Sequence, residues 1–179
     1  MNSPTVRQEW SSKWPLPFVA MFGIAGVTMF PTSSGVFMQA VTGTFGWSRS
    51  QFAAAFLIQV LAGLVAIPLA GQLADRVGAR KVVLWGIVPF AASLALLGLA
   101  TGSIWQWWAL CLLNALFVGF VSPPIWIKPV VAQFDVSRGL ALSVALGGVG
   151  LSTMVWPLLA ALYIGEFGWR SAYFLIAAT

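Results

Sequence analysis

Lys128 is the side chain from which most chemistry follows. Pro123, Pro124 and Pro129 flank it, and proline has no backbone N–H, so the helix around Lys128 is irregular. Two readings are open. In one, an apolar helix ends near Ile127 and Lys128 is an ordinary cation at its end. In the other, the helix runs on through Val130-Val-Ala-Gln-Phe134, which leaves Lys128 about six residues, roughly 9 Å, inside. A lysine stem covers part of that distance by snorkelling. A cation held inside an apolar span marks a functional site by default. Asn114 precedes Lys128 by fourteen positions; at about 100° per residue the two lie within about 40° of one face. A cation and an amide on one face suit a carboxylate ligand.

A second polar set is Thr28, Thr32, Gly35 and Gln39. Steps of four, three and four put them on one helical face. Pro31 sits on the same side and frees a carbonyl from its helical partner. The stripe either lines a cavity or packs on a neighbouring helix, since small and hydroxyl residues do both. Gly147, Gly148 and Gly150, with Ser143 and Ser152, read as close-packing sites. The chain has no histidine and one cysteine, Cys111. That excludes Ser-His hydrolysis, His-ligated metal, a cysteine metal cluster and an intrachain disulfide. No catalytic residue, metal or cofactor is expected.

The elements that position these residues follow from composition. Only 7% of the 179 residues are charged and 60% are hydrophobic, against about 25% charged in a soluble globular protein. So little charge cannot coat a soluble surface, and the chain is expected to lie in lipid. The runs Trp14–Ser48, Ser50–Ala74, Val82–Ile127 and Gly139–Gly165 carry no charge. A span needs roughly 20 apolar residues, and the third run, broken by Thr101, Gly102 and Ser103, holds two. This predicts a tail over 1–14 and a transmembrane bundle over 15–179. Its complete spans are about 16–42, 52–71, 82–101, 107–127 (or to 134) and 140–163. A partial sixth, 171–179, is too short to cross, so the sixth helix reads as truncated. The apolar run after Lys13 is longer than a signal-peptide core of about 7–15 residues.

Nine Lys and Arg against four Asp and Glu give a net charge of +5, too scattered for nucleic acid. With the N-terminus cytoplasmic, Arg7, Lys13, Arg76, Arg80, Lys81, Lys128 and Arg138 lie inside. Only Arg49 and Arg170 lie outside, as the positive-inside rule asks. Most tryptophans, including Trp14, Trp47, Trp85, Trp105 and Trp169, fall near span ends, where an indole prefers to lie.

The second and third spans are joined by Gly71-Gln-Leu-Ala-Asp75-Arg76-Val-Gly78-Ala-Arg80-Lys81. Gly71 allows close helix approach, and Gly78 allows a sharp reversal. Asp75 can accept from helix-start N–H groups or pair with a cation. The three basic residues suit an anionic leaflet. This loop resembles the signature loop of the major facilitator superfamily. The resemblance covers the chain and implies an all-α integral membrane fold. The chain would be the N-terminal six-helix bundle of a twelve-helix transporter. It implies a conformational-switching role for Gly71, Asp75, Arg76, Gly78, Arg80 and Lys81, the acid holding one state of an alternating-access cycle through the C-terminal half.

Ser34-Gly35-Val36-Phe37, Phe45-Gly46-Trp47-Ser48-Arg49-Ser50, the glycines of span five with Pro157, and Phe167-Gly168-Trp169-Arg170-Ser171-Ala172 narrow the resemblance. Together they loosely resemble the monocarboxylate-porter and oxalate/formate-antiporter branches. The helix-four Arg and helix-five Gly-Pro pair usual in drug–proton antiporters are not here. Glu166 and Arg170 stand four apart and are placed to pair. The expectation is a secondary transporter, not an enzyme, of a small organic anion such as a monocarboxylate, in the plasma membrane. Its partners would be lipid, the anionic solute, a coupling proton or counter-substrate, and a missing C-terminal half or a partner copy. The alternatives are a non-transporting membrane scaffold and a transporter of a non-anionic solute.

Overall fold

The computed structural model describes residues 6–178; residues 1–5 of the expected tail, and Thr179, lie outside the described residues. Within them the regular elements are helices: α1 (Val6–Lys13), α2 (Pro15–Val27), α3 (Met29–Phe45), α4 (Arg49–Val77), α5 (Ala79–Leu97), α6 (Ile104–Val121), α7 (Pro123–Gln133) and α8 (Arg138–Ala178). Five stretches are long and apolar enough to cross a membrane: Pro15–Phe45, Arg49–Val77, Ala79–Leu97, Ile104–Gln133 and Arg138–Ala178. Helix is what such sequence must form in lipid, where a backbone amide finds no partner but its own chain.

Each break in a span has a local cause. Pro31 cannot donate to Val27, and the first span breaks at Thr28, with φ −87° and ψ 4°. Pro123 and Pro124 open α7 behind an extended Ser122, so Ile104–Gln133 is one bent span that carries Lys128 in its second half. Ser48 and Gln51 form a reciprocal capping box that starts α4. Gly168 interrupts α8 at φ 77° and ψ 161°, a conformation that only glycine adopts freely.

Spans one and five pack together, as do spans two and four, while α5 leans on α6 and on the end of α8. Lipid gives little hydrophobic drive between helices, so close backbone approach at small residues supplies the attraction. A Cβ at Gly148 would run into the Met21 carbonyl, and one at Gly119 would stand 2.9 Å from Ala66 Cβ. Ala141, Ala145, Gly148 and Ser152 are all buried and recur at helical spacing on this face of α8. Gly147 and Gly150, read as packing sites beside Gly148, are instead exposed. One and two residues from Gly148, they point about 100° and 200° away around the helix.

The bundle has two ends. The tail end holds α1, the α4–α5 junction and the α7–α8 link. The far end holds the α3–α4 and α5–α6 links and the Gly168 break. The stretch after Gly168 enters the core at the far end, where Tyr173 stacks on Phe37 with ring centroids 4.0 Å apart. Trp107, Cys111 and Phe52 are buried in the same cluster. Indole N–H groups fasten the links around it: Trp47 donates to the Gly102 carbonyl, Trp108 to the Gln51 carbonyl and Trp169 to Thr44 Oγ1, each at 3.0 Å. Arg170 donates to the Ala100 carbonyl at 2.9 Å and lies 4.3 Å over the Trp169 ring. The Glu166–Arg170 pair suggested by their spacing does not form, because Gly168 breaks the helix between them. The ion pairs among the described residues are Lys128–Asp75 and Arg138–Asp135.

Candidate functional site

The bends in the first and fourth spans open a cavity of about 610 Å³ between α2–α3, α4 and α6–α7. Phe30, Phe56, Leu64, Ile67 and Val118 make its wall apolar. Pro31, Pro68 and Pro123 also line it. Pro31 and Pro68 leave the carbonyls of Val27 and Leu64, both lining residues, without their helical N–H partners. Among the described residues, none lining this cavity is charged.

Three of the lining residues have polar side chains: Thr28, Gln59 and Asn114. Asn114 is only 1% exposed. Its Nδ2 donates to Ser93 Oγ at 2.9 Å, and the Ser93 hydroxyl donates to the Phe90 carbonyl at 2.6 Å. Ser93 has one proton and has given it away, so it can only accept. This fixes which way the Asn114 amide points and leaves Oδ1 buried with no partner in the protein. Gln59 Nε2 is buried without a partner as well. The Thr28 hydroxyl donates to the Ile24 carbonyl at 2.8 Å and keeps its lone pairs.

The polar stripe of the first span divides. Thr28 lines the cavity. Thr32 donates to the Thr28 carbonyl at 2.9 Å and stands 3.1 Å from Ser152 Oγ on α8, a packing contact. Gly35 and Gln39 are exposed. Lys128 is not a lining residue: its Nζ donates to Asp75 Oδ1 at 2.7 Å and to the Gly71 carbonyl at 2.8 Å. Asn114 and Lys128 therefore serve different places, separated by the bend at Ser122. Sequence reasoning passed over Gln59. Its signal was available, a lone amide in the middle of the uncharged run of the second span.

The signature loop is barely a loop. α4 runs to Val77 and α5 starts at Ala79, with Gly78 between them at φ 95°. Asp75 thus lies in the last turn of α4, the negative end of the helix dipole, where a carboxylate is unfavourable. The Lys128 ammonium offsets this and also bonds the Gly71 carbonyl, one turn earlier. Arg76, Arg80 and Lys81 are exposed and make no ion pair among the described residues.

A second polar cluster at the tail end was not foreseen. Glu9 of α1 is 4% exposed. Its carboxylate accepts the backbone N–H groups of Asp135, Val136 and Ser137, each at 3.0 Å, and the Ser137 hydroxyl at 2.8 Å. These amides lead into α8, whose first turn has N–H groups with no intrahelical partner. Trp10 Nε1 donates to Ser137 Oγ at 3.0 Å, and Lys13 Nζ donates to the Gln133 carbonyl at 2.6 Å. The amide of Val136, then that of Asp135 and the Ser137 hydroxyl, lower the Glu9 pKa from 4.5 to about 2. The partners lie 126 to 128 positions apart, beyond any local pattern.

The chain matches the family model described as Major Facilitator Superfamily over residues 11–179. It is 27% identical over 138 residues to the uncharacterized MFS-type transporter YceJ of Bacillus subtilis (strain 168), covering 74% of this chain and 32% of that protein. It is 31% identical over 132 residues to the multidrug resistance protein MdtG of Yersinia enterocolitica, covering 74% of this chain and 30% of that protein. It is 26% identical over 172 residues to monocarboxylate transporter 13 of Rattus norvegicus, covering 92% of this chain and 38% of that protein. Further relatives are named multidrug transporters. The chain spans about a third of the length of the curated relatives it matches.

Proposed function

The chain belongs to the major facilitator superfamily, and from that membership we propose that it is the first bundle of a secondary transporter for a small, largely apolar organic solute. The observation that carries this reading is the cavity, with its apolar wall and its few uncharged polar groups. Binding pockets for small organic molecules have this character and fall in the range of about 300–1,000 Å³. Several relatives are named for multidrug transport or resistance, which supports an organic solute.

The mechanism would be alternating access, one bundle rocking against a second around the solute. A C-terminal half, or a second copy, would close the open side of the cavity, and a coupling proton or counter-substrate would drive the cycle. The membrane would be the plasma membrane, and the charge distribution favours a cytoplasmic tail end. There the Asp75–Lys128 pair would be a contact that forms in one state and parts in another.

That pair also supports a second reading, an organic anion as solute. Lys128 lies five residues beyond Pro123 of the cavity wall, and parting from Asp75 would free its ammonium. The similarity to a monocarboxylate transporter along 92% of this chain favours it. The complete protein in energised vesicles distinguishes the two. Transport of the neutral probe N-phenyl-1-naphthylamine, lost in Gly63→Trp, supports the first. Transport of labelled lactate, lost in Lys128→Ala, moves the assignment to the second. Failure to move either probe or any other solute overturns both.

A further inference from the structure

We propose that Gln59 and Asn114 form a donor–acceptor pair that selects uncharged solutes bearing a carboxamide-like group, one N–H beside one C=O. The inference rests on the cavity being the transport site, and it assigns the chemistry that site reads. Asn114 Oδ1 is an acceptor whose orientation is fixed by Ser93 and Phe90 behind it. Gln59, on a different helix, lines the same cavity and carries a buried Nε2 donor with no partner in the protein. Both atoms are buried and unmet within the protein, and buried polar atoms are costly to leave so. A ligand that presents one donor and one acceptor satisfies both.

Ionised ligands satisfy at most one. A carboxylate has acceptors only, so it would set an unprotonated oxygen against Asn114 Oδ1. It would also carry its charge into a cavity whose described lining holds no cation, which is expensive. An ammonium has donors only and leaves Gln59 Nε2 unmet. A carboxylic acid fits only while it keeps its proton. The apolar wall takes the remainder of the molecule, and about 610 Å³ accommodates a bicyclic aromatic body.

The test uses the complete protein in lipid nanodiscs and three probes with one body: 2-naphthamide, 2-naphthoate and 2-ethylnaphthalene. Equilibrium dialysis at pH 7 should show the amide bound at least about tenfold more tightly than either other probe. A site built to hydrogen-bond rejects analogues that cannot answer it. The naphthoate should gain as pH falls toward its own pKa. Gln59 makes no hydrogen bond through Nε2 within the fold, so Gln59→Leu tests the pair without removing a structural bond. It should shrink the amide's advantage over the hydrocarbon to less than about threefold. Asn114→Leu should do the same, but it also strips Ser93 of its donor, so Gln59→Leu is the deciding variant.

Gly63 lines the cavity with only Ile67 Cδ1 near its Cβ direction, at 3.6 Å, so Gly63→Trp can fill the space. Loss of all three probes in Gly63→Trp, with Gln59→Leu leaving the amide's advantage intact, overturns the amide pair and spares the cavity as transport site. Unchanged binding in Gly63→Trp overturns the cavity reading itself, and this inference with it. Naphthoate bound as tightly as naphthamide at pH 7 overturns the pair directly.

Discussion

At the far end of the bundle, Trp47, Trp108 and Trp169 each use one indole N–H to hold a neighbouring helix. At the tail end, Glu9, Lys13 and Lys128 reach across with charged groups to the backbone of 135–137, 133 and 71. An indole fastens mainly through the area of its ring, with the N–H setting orientation, so neither pH nor salt releases it. A charged group at a water-facing end is screened by salt, responds to protonation and can exchange partners. The far end is thus held mainly by contacts that salt and pH leave alone, the tail end mainly by contacts that respond to both.

The sharpest challenge to this contrast is Trp107→Ala, which removes a fully buried ring from the far-end cluster. It should lower stability by about 3–5 kcal/mol, read as thermal unfolding in detergent. A smaller loss than that of any tail-end variant would invert the contrast.

Glu9→Gln should come next. The carboxylate there serves four donors, and an amide carries one acceptor oxygen instead of two. The folded pKa is depressed, from 4.5 to about 2, so the carboxylate contributes fully above pH 4.5. That contribution is lost as pH falls from 4.5 toward 2. The wild type should lose stability through that window, and Glu9→Gln should flatten that acid limb. An unaltered acid limb would mean that this capping contact does not set it.

Trp47→Phe keeps most of the ring and removes one N–H, and about 0.5–1.5 kcal/mol is expected, with no dependence on salt. Lys128→Met should move stability least, by about 0.2–1 kcal/mol, since Asp75 is 70% exposed. Added salt should erase most of that difference. The two variants measured side by side from low to high ionic strength sharpen the contrast most cleanly. An equal salt response would remove it.

Much of the fold was legible because lipid leaves the chain few options. Uncharged runs became helices, and the prolines marked the bends at Thr28 and Ser122. What could not be read depends on which way a side chain faces after a bend. Asn114 and Lys128 share a face of an ideal helix, yet Pro123 and Pro124 turn the second half so that Lys128 meets Asp75. Glu166 and Arg170 have ideal spacing, yet one positive φ at Gly168 separates them. The Glu9 cluster has no local pattern at all. Among candidate site residues, Thr28 and Asn114 reach the cavity, while Thr32 packs on Ser152. Gln59 was readable in principle, since an amide amid an uncharged run has to be answered by something.

The three prolines of the cavity wall have a mechanical consequence. Pro31, Pro68 and Pro123 come from three different spans and surround one cavity. An intact helix transmits a push along its whole length, whereas a helix missing a hydrogen bond yields first at that height. The wall is therefore most compliant in a belt around the cavity. The segments on either side of that belt can tilt by different amounts, so a displacement at the tail end is partly absorbed before it reaches the aromatic cluster at the other.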